Sequence, residues 1–298
     1  MQENKTEQTK GWFIKLWRRV RRQPAEQHQH QTQDRIAAKK EAKKSSPKEI
    51  NEVCQRLAYN DISVITLDLQ DQSLRLEETA ALSNALRIND NLRMLNVGNN
   101  SLGDEGILEI LQGLQHHVSI EYLILSTNGI ADVGEFAPLL VHMTSLKWLD
   151  LSHNEIHEAG ALFQAVGGHS KLELLDLSVN QISDGAAIGQ ALQHSSSSIN
   201  DLNLFGNRLG DDCAIAIANS GLKNLIKLNL GCNRIGNAGG KTLTKALVKS
   251  PTLKDLILTG KNPITDLEAR ASVRNAYATW ITKRHRAAES ICFVEWLV

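Results

Sequence analysis

Cysteine is scarce in this sequence. Its four copies among 298 residues, Cys54, Cys213, Cys232 and Cys292, lie far apart and show neither CxxC pairs nor the spacing of a disulfide framework. The expected setting is a reducing compartment, and the expected location is the cytoplasm. Long apolar runs are missing too: none approaches the roughly 18 to 20 residues that a membrane span requires, and no early apolar stretch ends in a small-residue cleavage site. Neither a spanning helix nor a cleaved signal is expected. Motifs for nucleotide, zinc-protease or serine-hydrolase chemistry (GxxxxGK[ST], HExxH, GxSxG) are also lacking. His28 and His30, like His153 and His157, have no cysteine or carboxylate pattern around them, so no metal and no cofactor is expected and the chain reads as a non-enzyme.

Net charge is absent only in the sum. Lys plus Arg and Asp plus Glu both total 33, but residues 1–45 hold 12 basic and 5 acidic residues, or +7, which leaves residues 46–298 at −7. An acidic body argues against nucleic acid, whose phosphates require the opposite sign. The opposite charges also leave open that the arm docks on the body.

One phrase recurs through most of the chain. Its clearest copy runs Leu92, Leu95, Val97, Asn100, Leu102, Gly106, and copies of the same spacing begin at Ile120, Leu146, Leu172, Ile199 and Leu225. Degenerate copies begin at Val64, with Gln72 in the asparagine position, and at Leu253, with Asn262 one residue late. Cys213 at a glycine position and Gly185 one residue early are smaller departures. The second anchor falls at 67, 95, 123, 149, 175, 202, 228 and 256, so the intervals are 28, 28, 26, 26, 27, 26 and 28.

This phrase resembles the leucine-rich repeat, and the intervals together with the glycine resemble its ribonuclease-inhibitor-like subfamily, over residues 62 to about 265. The resemblance implies an α/β solenoid with a curved parallel sheet on the concave face and helices on the convex face. Physical chemistry points the same way. Leu-x-Leu alternation puts both leucines on one face of a short strand, an edge that only a neighbouring repeat can cover. The asparagine side chain can satisfy backbone groups of adjacent turns. Ile107, Ile110, Leu111 and Leu114 then return an apolar stripe to the core at helical spacing.

Four segments are expected: an arm at 1–45, a cap helix at 46–61, repeats at 62–265 and a C-terminal cap at 266–298. Ser46, Pro47 and Glu49 form a helix-start signature before Ile50, Val53, Cys54 and Leu57. Leu267, Ala271, Val273, Ala276, Trp280 and Ile281 suggest a closing helix. Glu295 to Val298 could alternatively present a free carboxylate to a peptide-binding domain. In the arm, Trp12, Phe13, Leu16, Trp17 and Val20 at helical spacing, with Lys15, Arg18, Arg19, Arg21 and Arg22 and no acid, suit an anionic membrane surface or a partner groove.

In LxxLxLxxN, the residue before the second anchor and those on either side of the third point toward the concave face. Four consecutive repeats there present Met94, Tyr122, Trp148 and Leu174, with Phe205 in a later column and Asp150, Asp176 and Asp201 around them. An apolar stripe rimmed by acid is the anatomy of a protein-binding hot spot for a basic or amphipathic partner. The expected function is an interaction scaffold or adaptor, with the arm as a peripheral membrane tether. The alternatives are a GTPase activator, because the resemblance includes Ran-activating proteins and Arg208 and Arg234 follow ladder asparagines, and a bacterial effector acting on a host protein.

Overall fold

The computed structural model describes residues 47–193, 197–258, 260–266 and 271. They fall in the second of two units, residues 44–298. A helix, α1 (Pro47–Ala58), leads into an alternation of short strands and helices. These are β1 (Thr66–Asp68), α2 (Leu76–Leu86), β2 (Met94–Asn96), α3 (Gly103–Gly113), β3 (Tyr122–Ile124), α4 (Ala137–Leu140), β4 (Trp148–Asp150) and α5 (Gly160–Gly167). They continue as β5 (Leu174–Asp176), α6 (Ala186–Gln193), β6 (Asp201–Asn203), α7 (Asp211–Asn219), β7 (Lys227–Asn229), α8 (Asn237–Lys249) and β8 (Asp255–Ile257).

The eight strands form one parallel sheet in sequence order, each repeat pairing with the next. Register is set by the anchors: Leu67, Leu95, Leu123, Leu149, Leu175, Leu202, Leu228 and Leu256 are successive partners. All three anchors of all eight repeats are buried in one core cluster together with the helices' apolar faces. Because strands pack about 4.8 Å apart while helices need about 10 Å, the sheet takes the inside of the curve and the helices the outside. The result is a leucine-rich-repeat solenoid.

The asparagines hold one repeat to the next. Asn100 Nδ2 donates to Leu69 O at 2.9 Å in the preceding repeat and to Val97 O at 2.7 Å in its own, while its Oδ1 accepts from the amides of Gln72 and Leu74. Asn128, Asn154, Asn180, Asn207 and Asn233 bridge in the same way. Late Asn262 still reaches Leu230 O at 2.8 Å and Leu258 O at 3.1 Å, because the extra residue is absorbed at Gly260, whose φ of 90° suits glycine. The glycine at 185 is required by Cys213: a Cβ there would lie 2.3 Å from the Cys213 Cα. Carboxylates supply a second inter-repeat link, as Asp211 Oδ1 accepts from Gly236 N at 2.6 Å and Gly239 N at 2.9 Å, capping α8 from the helix before it.

In α1, Ile50, Cys54 and Leu57 face inward and cover the first repeat. The expected serine cap at Ser46, most of the expected closing helix, residues 291–298 and the whole basic arm lie outside the described residues. Among the described residues, no helix is long and apolar enough to cross a membrane.

Candidate partner-binding face

Each strand offers its first and third residues to the helix-free face of the sheet and its second to the core. Met94, Tyr122, Trp148 and Leu174 are register partners on β2 to β5, so the stripe read from the sequence is one physical row. Ile124 follows Tyr122 on the same face. Met94, Ile124 and Trp148 are buried yet stand apart from the core cluster, on the other side of the sheet.

That burial corrects one expectation. The repeat pattern predicts a stripe exposed throughout, but Met94 and Trp148 keep only 2 % and 4 % of their surface, and Asp150 and Asp176 keep 9 % and 6 %. Parallel strands about 4.8 Å apart press in-register side chains of this size against one another on the inside of the curve. Tyr122, Leu174, Asp201 and Phe205 are half-buried and form the accessible part of the row, next to half-buried Asn203 and Lys227.

The strand-terminal polar residue has a local task. Asp150 Oδ1 accepts from Ser152 N at 2.9 Å, and Asp176 Oδ1 accepts from Ser178 N at 2.8 Å and from Ser178 Oγ at 2.6 Å. Asn96, Asn203 and Asn229 accept from Gly98, Phe205 and Gly231 amides in the same way. The turn therefore needs an acceptor two residues before the amide, and neutral asparagine meets that need in three repeats. At β1, β4 and β5 the acceptor is instead a carboxylate; Asp68 is exposed, whereas Asp150 and Asp176 are buried and are direct register partners.

No cation among the described residues pairs with either carboxylate; the ion pairs lie elsewhere, as at Glu121 with Arg93 and Lys147. Burial, then the Asp176 charge, pushes the Asp150 carboxyl up to about 7. Burial also raises Asp176, against the bonds from Ser178 and from Asn203 Nδ2 at 3.0 Å. Burial thus pushes both carboxyls toward their protonated forms.

The other candidates stay apart from this face. Arg208 and Arg234 are exposed beyond the ladder asparagines, and His153 and His157 are exposed nearby. Among the described residues, no three His, Cys, Asp or Glu side chains gather as metal ligands would. Cys54 and Cys213 are buried thiols, and burial pushes Cys54 up to about 11, so neither is an activated nucleophile. Trp12, Phe13, Trp17, Arg18, Arg19, Arg21 and Arg22 lie outside the described residues. The sequence reading missed the Asp/Asn acceptor position, although its signal was present: Asp or Asn recurs two residues after the first strand position in six of the eight repeats.

The leucine-rich-repeat family model matches residues 89–111, 142–163, 195–218 and 221–243. Solved structures similar to this chain include an internalin (inlF) from Listeria monocytogenes, 18 % identical with a TM-score of 0.39, over 75 % of this chain and 91 % of that one. Another is an internalin C2 (inlC2) from the same species, 20 % identical with a TM-score of 0.47, over 70 % and 92 % of the two chains. No curated protein sequence matches the chain.

Proposed function

We propose that this leucine-rich-repeat chain is a non-catalytic scaffold, of the ribonuclease-inhibitor-like type, that binds a basic or amphipathic protein segment on the helix-free face of its sheet. The observation that carries this reading is the carboxylate pair. Asparagine serves the same turn in other repeats, so the charges of Asp150 and Asp176 are not needed for folding and raise its cost. The pair adds negative potential to the face whose accessible part includes Asp201, and that potential suits a basic segment. Tyr122, Leu174, Phe205 and Asp201 make the direct contacts in this scheme, while Met94 and Trp148 form the packed layer that holds them in place. Residues 12–22 act as a tether to an anionic membrane surface, which puts the scaffold at the periphery of a cytoplasmic membrane.

Affinity capture with the full chain, followed by the same capture with Tyr122→Ala and Asp201→Lys, tests the assignment. An aromatic hot spot is worth about 2 kcal/mol or more, roughly thirtyfold in affinity. Both variants should lose the partner, and exposed helix-side Lys245→Ala and Lys249→Ala should keep it. The opposite pattern would move binding to the outer helices. A captured GTPase whose turnover rises with the wild type and not with Arg208→Ala or Arg234→Ala would replace the scaffold reading with an activator.

A further inference from the structure

Charge is spread unevenly within the repeats themselves. Residues 46–219 carry 8 basic and 23 acidic residues, or −15, whereas residues 220–265 carry 8 basic and 1 acidic, or +7. A solenoid keeps neighbours in sequence together in space, so this is a separation of charge across the repeats, with the last of them as the positive end. The separation is sharpest along one edge, where α7 and α8 end and the chain returns to the sheet. Residues 219–227 and 245–254, which make that edge, contain five lysines and no acid, arginine or aromatic residue.

The two turns are bonded into one support. Thr252 Oγ1 donates to Leu222 O at 3.0 Å and to Lys223 O at 2.8 Å, Ser250 Oγ donates to Leu222 O at 3.1 Å, and Lys254 N donates to Ile226 O at 2.7 Å. Asn224 Nδ2 ties the first turn to Ser197 O of the preceding repeat at 2.7 Å. On this support Lys223, Lys245, Lys249 and Lys254 are exposed, with Lys245 and Lys249 on one face of α8. The acids of the neighbouring elements are turned elsewhere. Asp201 and Asp255 are the register partners of half-buried Lys227 on the sheet face, and Asp266 pairs with Lys241 at 3.1 Å. Asp211 and Asp212 stand at the opposite end of α7, about 12 Å along its axis. Along the edge the next acid is Glu173, two strands before Ile226, or about 10 Å away.

We propose that this lysine edge docks on an anionic lipid membrane, and that the acidic repeats, repelled by the same surface, are held directed away from it. Lysines are point charges on flexible stems and impose no geometry, which suits a diffuse layer of lipid headgroup charge. Nucleic acid would extend from the edge over repeats of charge −15 and would find there no aromatic side chain to stack on and no arginine fork for its phosphates. An acidic protein segment needs apolar anchors beside its charges, and of the exposed large hydrophobic side chains among the described residues the edge holds Ile226 alone, at 37 %. The inference deepens the membrane tether proposed for residues 12–22 without resting on it, because these lysines belong to the repeats. Two weak membrane contacts in one chain reinforce each other.

Sedimentation of the full chain with vesicles of phosphatidylserine and phosphatidylcholine, and with vesicles of phosphatidylcholine alone, is the test. Binding should require phosphatidylserine and weaken as salt rises. Lys223→Gln, Lys245→Gln and Lys249→Gln together should weaken it about fivefold per lysine, or roughly a hundredfold. Arg208→Gln, Arg234→Gln and Lys261→Gln together make the same change of net charge at exposed residues off the edge, and should alter binding less than about threefold. Circular dichroism checks that both variants fold. The proposal is overturned if the phosphatidylserine vesicles do not bind, if phosphatidylcholine alone binds as well, or if the two charge variants weaken binding equally. Trp12→Ala with Trp17→Ala separates the tether from the edge. Loss of binding in that variant, with none in the lysine variant, overturns this proposal and leaves the tether; the reverse supports the edge and removes the tether. If vesicles fail to bind while a fluorescein-labelled oligoglutamate peptide binds and loses its affinity in the lysine variant, the occupant is an acidic protein segment and the membrane assignment is refuted.

Discussion

The substitution Asp150→Asn should make the protein more stable, and more so in alkali than in acid. The introduced amide would keep the acceptor for Ser152 N, as Asn96 does for Gly98 and Asn229 for Gly231. What it removes is a buried charge facing Asp176. Folding raises the Asp150 pKa from 3.8 to about 7, so the folded chain holds this proton more tightly than the unfolded chain. The group's contribution is most favourable below about pH 4 and is lost as pH rises through about 7. The charge therefore costs more at pH 8 than at pH 5, by a few kcal/mol at most. His117 and His169, whose pKa values are lowered by burial, act in the opposite direction as pH falls, but they are common to both proteins and cancel in the difference. Urea denaturation of the wild type and the variant at both pH values measures the effect. An equal gain at pH 5 and pH 8, or a loss at pH 8, would refute the argument that the pair is an uncompensated buried charge.

Leu149→Ala, a fully buried anchor in the middle of the sheet, should cost about 2 to 5 kcal/mol in the same assay, whereas Tyr122→Ala on the open face should cost much less. Asn154→Ala removes donors to Leu125 O and Leu151 O and the acceptor for the Asn128 and Ile130 amides. Because these groups are buried, a loss of about 2 kcal/mol or more is expected, with a raised rate of amide exchange at residues 125–130. Gly185→Ala should lower the thermal midpoint, since its Cβ would meet the Cys213 Cα at 2.3 Å, and Cys213→Gly in the same chain should not restore it, because glycine keeps that Cα. A peptide spanning residues 8–24 should bind anionic vesicles with a blue shift of its tryptophan emission that fades as salt rises; no binding to such vesicles would remove the membrane tether.

Much of this fold can be read along the chain because a solenoid is nearly one-dimensional. Each anchor packs against the same anchor one repeat away, so Leu95, Leu123 and Leu149 announce their partners by spacing alone. The ladder is equally legible, and it absorbs even the late Asn262, because an asparagine needs only to reach the turn beside it. The columns of the sheet face were legible for the same reason: Met94, Tyr122, Trp148 and Leu174 share a register that the period dictates.

Exposure did not follow from the period. The alternation of a strand says which face a side chain takes, but not how deeply its neighbours cover it, and on that point Trp148 and Tyr122 part company although they sit in one row. The raised Asp150 carboxyl depends on the distance to Asp176, 26 residues away, and on the absence of a cation between them, neither of which a pattern of residue types records. The sequence alone determined the number of repeats, the core and the ladder, because these are contacts between identical positions of adjacent copies. Tertiary structure alone decided which side chains remain accessible and which charges go uncompensated, because both depend on how closely non-equivalent residues approach.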